Sequence, residues 1–223
     1  MGDHETKASS DENESPFPLT DEDKWVLSQT DEEFHLHDWE ELKEIINHNK
    51  LETLKRKPSD LRRYMAWTQQ TKAQYGSITN YILQNRLSWG PPPFTYTSPI
   101  PFASPSDFKI LTNDWPYGLK DDITHIVVWS KTPIPIDEAT GDVTEDSRMI
   151  IGEFVRRTFG HGDRVVWFKN WVALQSIRAL EHVHVMIKDA RKSDIQAWTG
   201  ESSGQDEPTL LQAEHEATCN LDN

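Results

Sequence analysis

The chain of 223 residues carries 23 Lys and Arg against 37 Asp and Glu, giving a formal net charge of −14 and a pI near 5.0. That balance excludes nucleic acid as a partner, because phosphate-backbone binding needs clustered basic side chains to release counterions. The lone cysteine, Cys219, excludes a disulfide framework and a cysteine zinc site, and no stretch approaches the roughly 20 apolar residues of a membrane span.

Acidity is concentrated at the ends. Residues 1–40 hold 13 acidic and 2 basic side chains and residues 189–223 hold 8 and 2, which leaves residues 41–188 mildly basic at +3. The polar N-terminus lacks the basic start and apolar run of a signal peptide, so cytoplasm or nucleus is the expected compartment. Residues 1–37 are too rich in Asp, Glu, Ser and Pro to offset the entropy of ordering them, and are expected to form a disordered tail.

From Asp38 the pattern changes. Asp38 and Glu41 have capping-box spacing, and Trp39, Leu42, Ile45 and Ile46 fall on one stripe, predicting a helix to about Asn49. A second helix is predicted from Pro58, with Ser59 and Asp60 as capping candidates and Leu61, Tyr64, Met65 and Thr68 inward, to Gly76. A third starts at Ser77 and turns Ile78, Tyr81 and Ile82 inward. The basic cluster Lys55, Arg56, Lys57, Arg62 and Arg63 reads as a solvated face, with a phosphate site held in reserve.

Residues 38–89 thus form a helical front, followed by a Pro-rich connector at 90–106 that can be neither helix nor central strand. The body, 107–198, begins with strands Phe108 to Thr112 and Ile123 to Ser130 joined by the turn formers of NDWPYG, expected to pair as a meander. A surface loop at 132–146 leads to a helix with Met149, Ile150, Phe154 and Val155 on its core stripe, ending at Gly160. Two further strands, Arg164 to Lys169 and His182 to Ile187, bracket a polar insert, and a short amphipathic piece reaches Trp198 before a disordered tail at 199–223.

In the last strand a period of two puts His182, His184 and Met186 on one face and Val183, Val185 and Ile187 on the other. One face is core and the other presents imidazoles. A neutral imidazole can attack phosphorus while amide and hydroxyl groups hold the phosphoryl oxygens, a cradle for which Asn170, Gln175 and Ser176 are the right types. Lys131, Lys169 and Arg178 could neutralise a phosphate, and Asp114 or Glu181 could orient an imidazole. A metal site would need His125 or His161 as a further ligand at a spacing that matches no established signature, so neither metal nor cofactor is assigned.

NDWPYG at 113–118, HIVVWSK at 125–131 and WFKNWVALQSI with EHVHV between 167 and 185 closely resemble the fungal N-acetylglucosamine-induced protein family, over most of residues 38–188. That resemblance implies regulation by an amino sugar and specifies no reaction. A fainter likeness is to the histidine-triad and galactose-1-phosphate uridylyltransferase fold, in the order of strands, helix, Gln-Ser and His-x-His. It implies a nucleophilic His184 supported by His182, with Asn170, Gln175 and Ser176 on phosphate; Met186 stands where a third His or Gln is expected.

The expected fold is therefore α+β, an antiparallel sheet covered by helices in a histidine-triad-like order, as one domain at 38–198 between acidic tails. The expected ligand is a phosphorylated small molecule, a nucleotide, nucleotide-sugar or sugar phosphate. His184 and His182 are the candidate catalytic residues of a hydrolase or nucleotidyltransferase, and Asn170, Gln175, Ser176, Lys131, Arg178, Asn113 and Asp114 the candidate ligand-binding residues. The rival readings are a non-catalytic sensor or regulator of amino-sugar metabolism and a protein-interaction scaffold whose partner the sequence does not identify.

Overall fold

A computed structural model describes residues 18–160 and 162–201. Disorder expected for 1–17 and 202–223, the imidazole of His161 and Cys219 all lie outside the described residues. The described chain is α+β: six α-helices and a four-stranded antiparallel sheet of order β1-β2-β4-β3. None of its helices is long and apolar enough to cross a membrane.

The strands are β1 Phe108–Thr112, β2 Ile123–Ser130, β3 Val165–Phe168 and β4 Glu181–Lys188. β1 and β2 pair as the meander reading expected, but β4 then inserts beside β2 and leaves β3 at the edge. Helix α5, Glu145–Phe159, makes the connection between β2 and β3. Because both faces of the sheet are covered, β2 is a nearly unbroken apolar run and β4 shows its alternation only through its histidines.

On one face Ile110, Ile126, Val128, Val183, Val185 and Ile187 pack against Ile151, Phe154, Val155 and Phe159 of α5. The phase of that helix differs from the expected one. Met149 is 60% exposed, and the inward stripe is Ser147, Ile151, Phe154 and Val155, since two adjacent isoleucines at 150 and 151 allowed the pattern to be read one position early.

On the other face lie Leu111, Val127 and Trp129, covered by α3 (Pro58–Tyr75) and by α4 (Ile78–Tyr81), which continues as a π-helical segment over Ile82–Leu87. Helix α2, Trp39–Asn47, covers the end of the same face, where Trp39 and Leu42 meet Phe168 and Met186. Asp38 and Glu41 do form the capping box, and Ser77 caps α4. Ser59 and Asp60 do not cap α3: Lys57 is its N-cap, Pro58 takes the first turn, and Ser59 instead donates to Asp31.

The tail reading fails for residues 18–37. Helix α1, Asp21–Leu27, has its own capping box between Thr20 and Asp23, and Val26 and Phe34 enter the core beside Leu61 and Tyr64. Its acidic first turn, Asp21, Glu22 and Asp23, complements the helix dipole, so residues that read as tail composition are helix-start chemistry. At the other end α6, Lys192–Thr199, is followed by Glu201, which accepts from Thr112 and pairs with Arg86, so the domain extends past 198.

Candidate functional site

Between the second face of the sheet and helices α3 and α4 lies a cavity of about 80 Å³, large enough for several waters or one compact anionic group. It shares Arg56, Tyr64, Ile78, Tyr117, Asn170 and Ser176 with an adjoining cleft of about 640 Å³, within the size range of small-molecule sites. The cleft carries Lys55, Arg56, Lys72 and Arg178 against Asp23 and Glu52.

Cross-strand register sets the imidazoles. Trp129 stands opposite His182, Val127 opposite His184 and His125 opposite Met186, so all three histidines project from one face. His184 Nδ1 lies 2.9 Å from His125 Nε2, and its Nε2 lies 3.3 Å from Asn170 Nδ2. The amide therefore donates to Nε2, which makes Nδ1 the protonated nitrogen, donating to His125. Phe168 stacks on the His184 ring at 4.9 Å and Tyr117 on His125 at 5.2 Å.

His182 is arranged differently. Its Nδ1–H donates to the Leu180 carbonyl at 2.8 Å, which fixes the tautomer and leaves the Nε2 lone pair without a hydrogen-bond partner among the described residues, on a ring that lines the cavity. Burial pushes His182 down to about 4 and His125 down to about 3, the latter helped by the Arg56 charge. Burial, with His125, His182 and Arg56 adding to it, holds His184 well below its ordinary value. All three are neutral at pH 7.

The cavity is rich in donors. Trp67 and Trp115, whose rings sit 5.3 Å apart, line it, and among the described residues their indole N–H groups find no acceptor and Asn170 Oδ1 has no partner. Arg56 donates through Nε to the Trp115 carbonyl and lies 4.2 Å over the Tyr64 ring, with no carboxylate paired to it among the described residues. Arg86 is held differently, by Asp114 at 2.8 Å and Glu201 at 2.7 Å. Burial raises Asp114 from its ordinary value against the pull of Arg86.

Of the residues singled out in the sequence, His182, His184, Asn170, Ser176, Asn113 and Asp114 line the cavity. Gln175 and Arg178 line the cleft, and Gln175 also donates to the Asn170 carbonyl at 2.7 Å. Lys131 stands apart, donating to the Ser106 carbonyl and lying 5.3 Å from the Trp89 ring. Neither Asp114 nor Glu181 orients an imidazole: the first holds Arg86 and the second pairs with Lys169. Asn113 does meet one, with Nδ2 at 3.1 and 3.2 Å from the ring nitrogens of His125.

Trp67, Tyr117 and Arg86 were not singled out in the sequence, and Arg56 was read as solvated. Tyr117 lies inside the NDWPYG motif, and the alternation of HIVVW places His125 with Val127 and Trp129, so those two had a signal. Arg56 and Trp67 are brought in by α3 and the segment before it, at sequence distances no local pattern reports.

A family model described as a protein of unknown function (DUF3605) matches residues 38–188. The chain belongs to that family. Among its relatives, the N-acetylglucosamine-induced protein 1 of Candida albicans is 30% identical over 188 residues, covering 75% of this chain and 74% of that protein. An uncharacterized protein of Saccharomyces cerevisiae is 28% identical over 169 residues, covering 73% and 84%. The crystal structure of HTC1 superposes with a TM-score of 0.57 at 27% identity, covering 72% of this chain and 91% of that one. The resemblance read from the Trp-rich motifs is thus borne out at the level of the DUF3605 family.

Proposed function

We propose that the protein binds a small phosphorylated ligand, an amino-sugar phosphate or nucleotide-sugar, with its anionic group in the histidine-lined cavity and the rest in the cleft. One observation carries this reading: among the described residues, two tryptophans whose buried indole N–H groups lack an acceptor and an arginine that lacks a paired carboxylate line the same cavity. A buried donor left unsatisfied costs about 1–3 kcal/mol. An anion accepts from the indoles and neutralises Arg56 at once. The name of the Candida relative, which speaks of induction by N-acetylglucosamine, makes amino-sugar ligands the first to test.

A catalytic form of this reading is favoured by His182. Its protonated Nδ1 is anchored and its Nε2 lone pair is free, as a nucleophile on phosphorus requires, whereas both nitrogens of His184 are engaged. His182 is then the attacking group and His184 a positioning residue, the reverse of the roles the histidine-triad likeness implies. Without turnover, the same site serves a sensor of amino-sugar status.

The test is a thermal-shift panel of hexosamine phosphates, UDP-amino sugars, nucleotides and inorganic phosphate on the full chain, with products assayed for every ligand that stabilises. Binding to the native state alone raises Tm by mass action. The expected result is stabilisation that Arg56→Ala abolishes. Turnover lost in His182→Asn and only slowed in His184→Asn supports the transferase or hydrolase; stabilisation without turnover supports the sensor. No response to any phosphorylated ligand sinks the proposal and moves the choice to a protein-interaction scaffold.

A further inference from the structure

A second cluster lies outside the cavity and the cleft, where the chain enters α2. His35, His37 and Glu41 each offer a ligand atom, and these atoms all lie within 4.8 Å of one another. His35 Nε2 is 2.8 and 2.9 Å from the two Glu41 oxygens, and His37 Nδ1 is 3.7 Å from Glu41 Oε2. Two ligands bound tetrahedrally to zinc at about 2.0–2.1 Å stand about 3.3–3.4 Å apart, so these separations bracket what one ion needs.

The two ligands nearest the fold are fixed by backbone. His37 forms a parallel bridge to Leu119: its N–H donates to the Gly118 carbonyl at 3.2 Å, and its carbonyl accepts from Lys120 N–H at 3.0 Å. Glu41 is the third residue of α2, and its Oε2 accepts from the Asp38 amide at 3.0 Å, which orients the carboxylate and leaves Oε1 toward His35. An outer contact of this kind, an amide on the carboxylate, helps to orient ligands around transition metals. His35 completes the set from solvent, its side chain 66% exposed. The N-terminal end of a helix disfavours a cation, and the carboxylates of Asp38, Glu40 and Glu41 offset that.

We propose that His35, His37 and Glu41 bind one divalent transition-metal ion of the zinc type, with a fourth, water-accessible position. Two imidazoles and one carboxylate suit Zn²⁺, Co²⁺ or Ni²⁺ and are a poor match for Ca²⁺ or Mg²⁺, which take oxygen ligands. The ion cross-links the segment before α2 to the first turn of that helix. Through the His37–Leu119 bridge it also secures the 117–120 turn, and with it Tyr117, the ring stacked on His125. The role is a structural staple independent of whether the cavity binds a phosphorylated ligand.

The test uses the full chain, stripped with chelator and titrated with Co²⁺, whose visible absorption reports tetrahedral nitrogen and oxygen ligation, followed by Zn²⁺ displacement and calorimetric stoichiometry. The proposal expects one saturable site, a Tm that rises with Zn²⁺, and at least a tenfold loss of affinity in His35→Ala and in Glu41→Gln. Both variants are expected to fold, since His35 is exposed and Gln keeps the capping contact; circular dichroism checks this. Every variant retains the remaining histidines and Cys219, so binding that persists unchanged in both variants belongs to those groups and overturns the proposal. So does an absence of saturable Co²⁺ binding in the parent protein.

Discussion

Strand β4 turns Val183, Val185 and Ile187 to one face of the sheet and His182, His184 and Met186 to the other, and all six are at most 7% exposed. The two faces are equally withdrawn from water and differ in chemistry. Against α5 the packing is apolar and closed, with Phe102 and Phe154 stacked at 4.7 Å. Against α3 and α4 the sheet buries imidazoles, indole N–H groups and an arginine around a cavity. Burying polar groups costs stability wherever a partner is missing, so the second face gives up stability that the first retains. That difference is where function is expected to reside.

The sharpest way to break this comparison is to damage the closed face. Phe154→Ala removes a ring packed on Phe102, Phe108 and Phe159 and is expected to lower stability by about 3–5 kcal/mol, measured by urea denaturation, with the same loss at every pH from 5 to 8. A loss below about 1 kcal/mol would mean that the face against α5 is not the structural one.

The histidine face, by contrast, should show itself in acid. Histidine titrates near 6.5 in an unfolded chain, whereas folded His182 and His125 titrate at about 4 and about 3. Between these values the unfolded chain binds more protons, so stability is complete above about pH 6.5. It falls as pH drops toward 4, by about 1.4 kcal/mol per pH unit for each histidine. His182→Gln should flatten its share of that slope in denaturation measured at a series of pH values. An unchanged slope would show that His182 is not held neutral by burial.

Gly118 sharpens the comparison at the edge of the histidine face. A Cβ there would lie 2.4 Å from Phe34 Cε1 and 3.4 Å from the Lys55 carbonyl, beside Tyr117. Gly118→Ala is expected to cost about 1–3 kcal/mol and to weaken ligand binding by displacing the turn. The smallest stability effect is expected from Arg56→Ala, under about 1 kcal/mol, because its contacts are one hydrogen bond and one aromatic face. The same variant should shift the acid transition to lower pH, since without the Arg56 charge His125 and His184 titrate nearer their unfolded value and less stability is lost in acid.

What the sequence revealed follows the range of each signal. Strand limits and the two-sided character of β4 were legible because a period of two is local, and β1 and β2 run over the residues expected. His182, His184 and Asn170 were singled out because two β-type runs bracket a polar insert, and they do line one cavity. α1 was not, because averaging over an acidic, proline-containing stretch hides a short helix that contributes Val26. Arg56 was not, because a basic run looks solvated until tertiary packing lays it over Tyr64. Lys131 failed in the opposite sense: its strand end turns it toward Ser106, away from the cavity. Roles implied by the histidine-triad likeness depended on which nitrogen of each imidazole is engaged, and no sequence carries that information.

The central claim is that the indole donors and Arg56 receive an anion, and the most direct measurement is on the indoles themselves. Nitrogen-15 spectra resolve indole N–H groups, and Trp67→Phe and Trp115→Phe assign the two that matter. Titration with hexosamine phosphates, UDP-amino sugars and inorganic phosphate is predicted to move both resonances saturably in the parent protein and neither in Arg56→Ala. Resonances of Trp67 and Trp115 that stay fixed at saturating concentrations of every ligand would contradict the account.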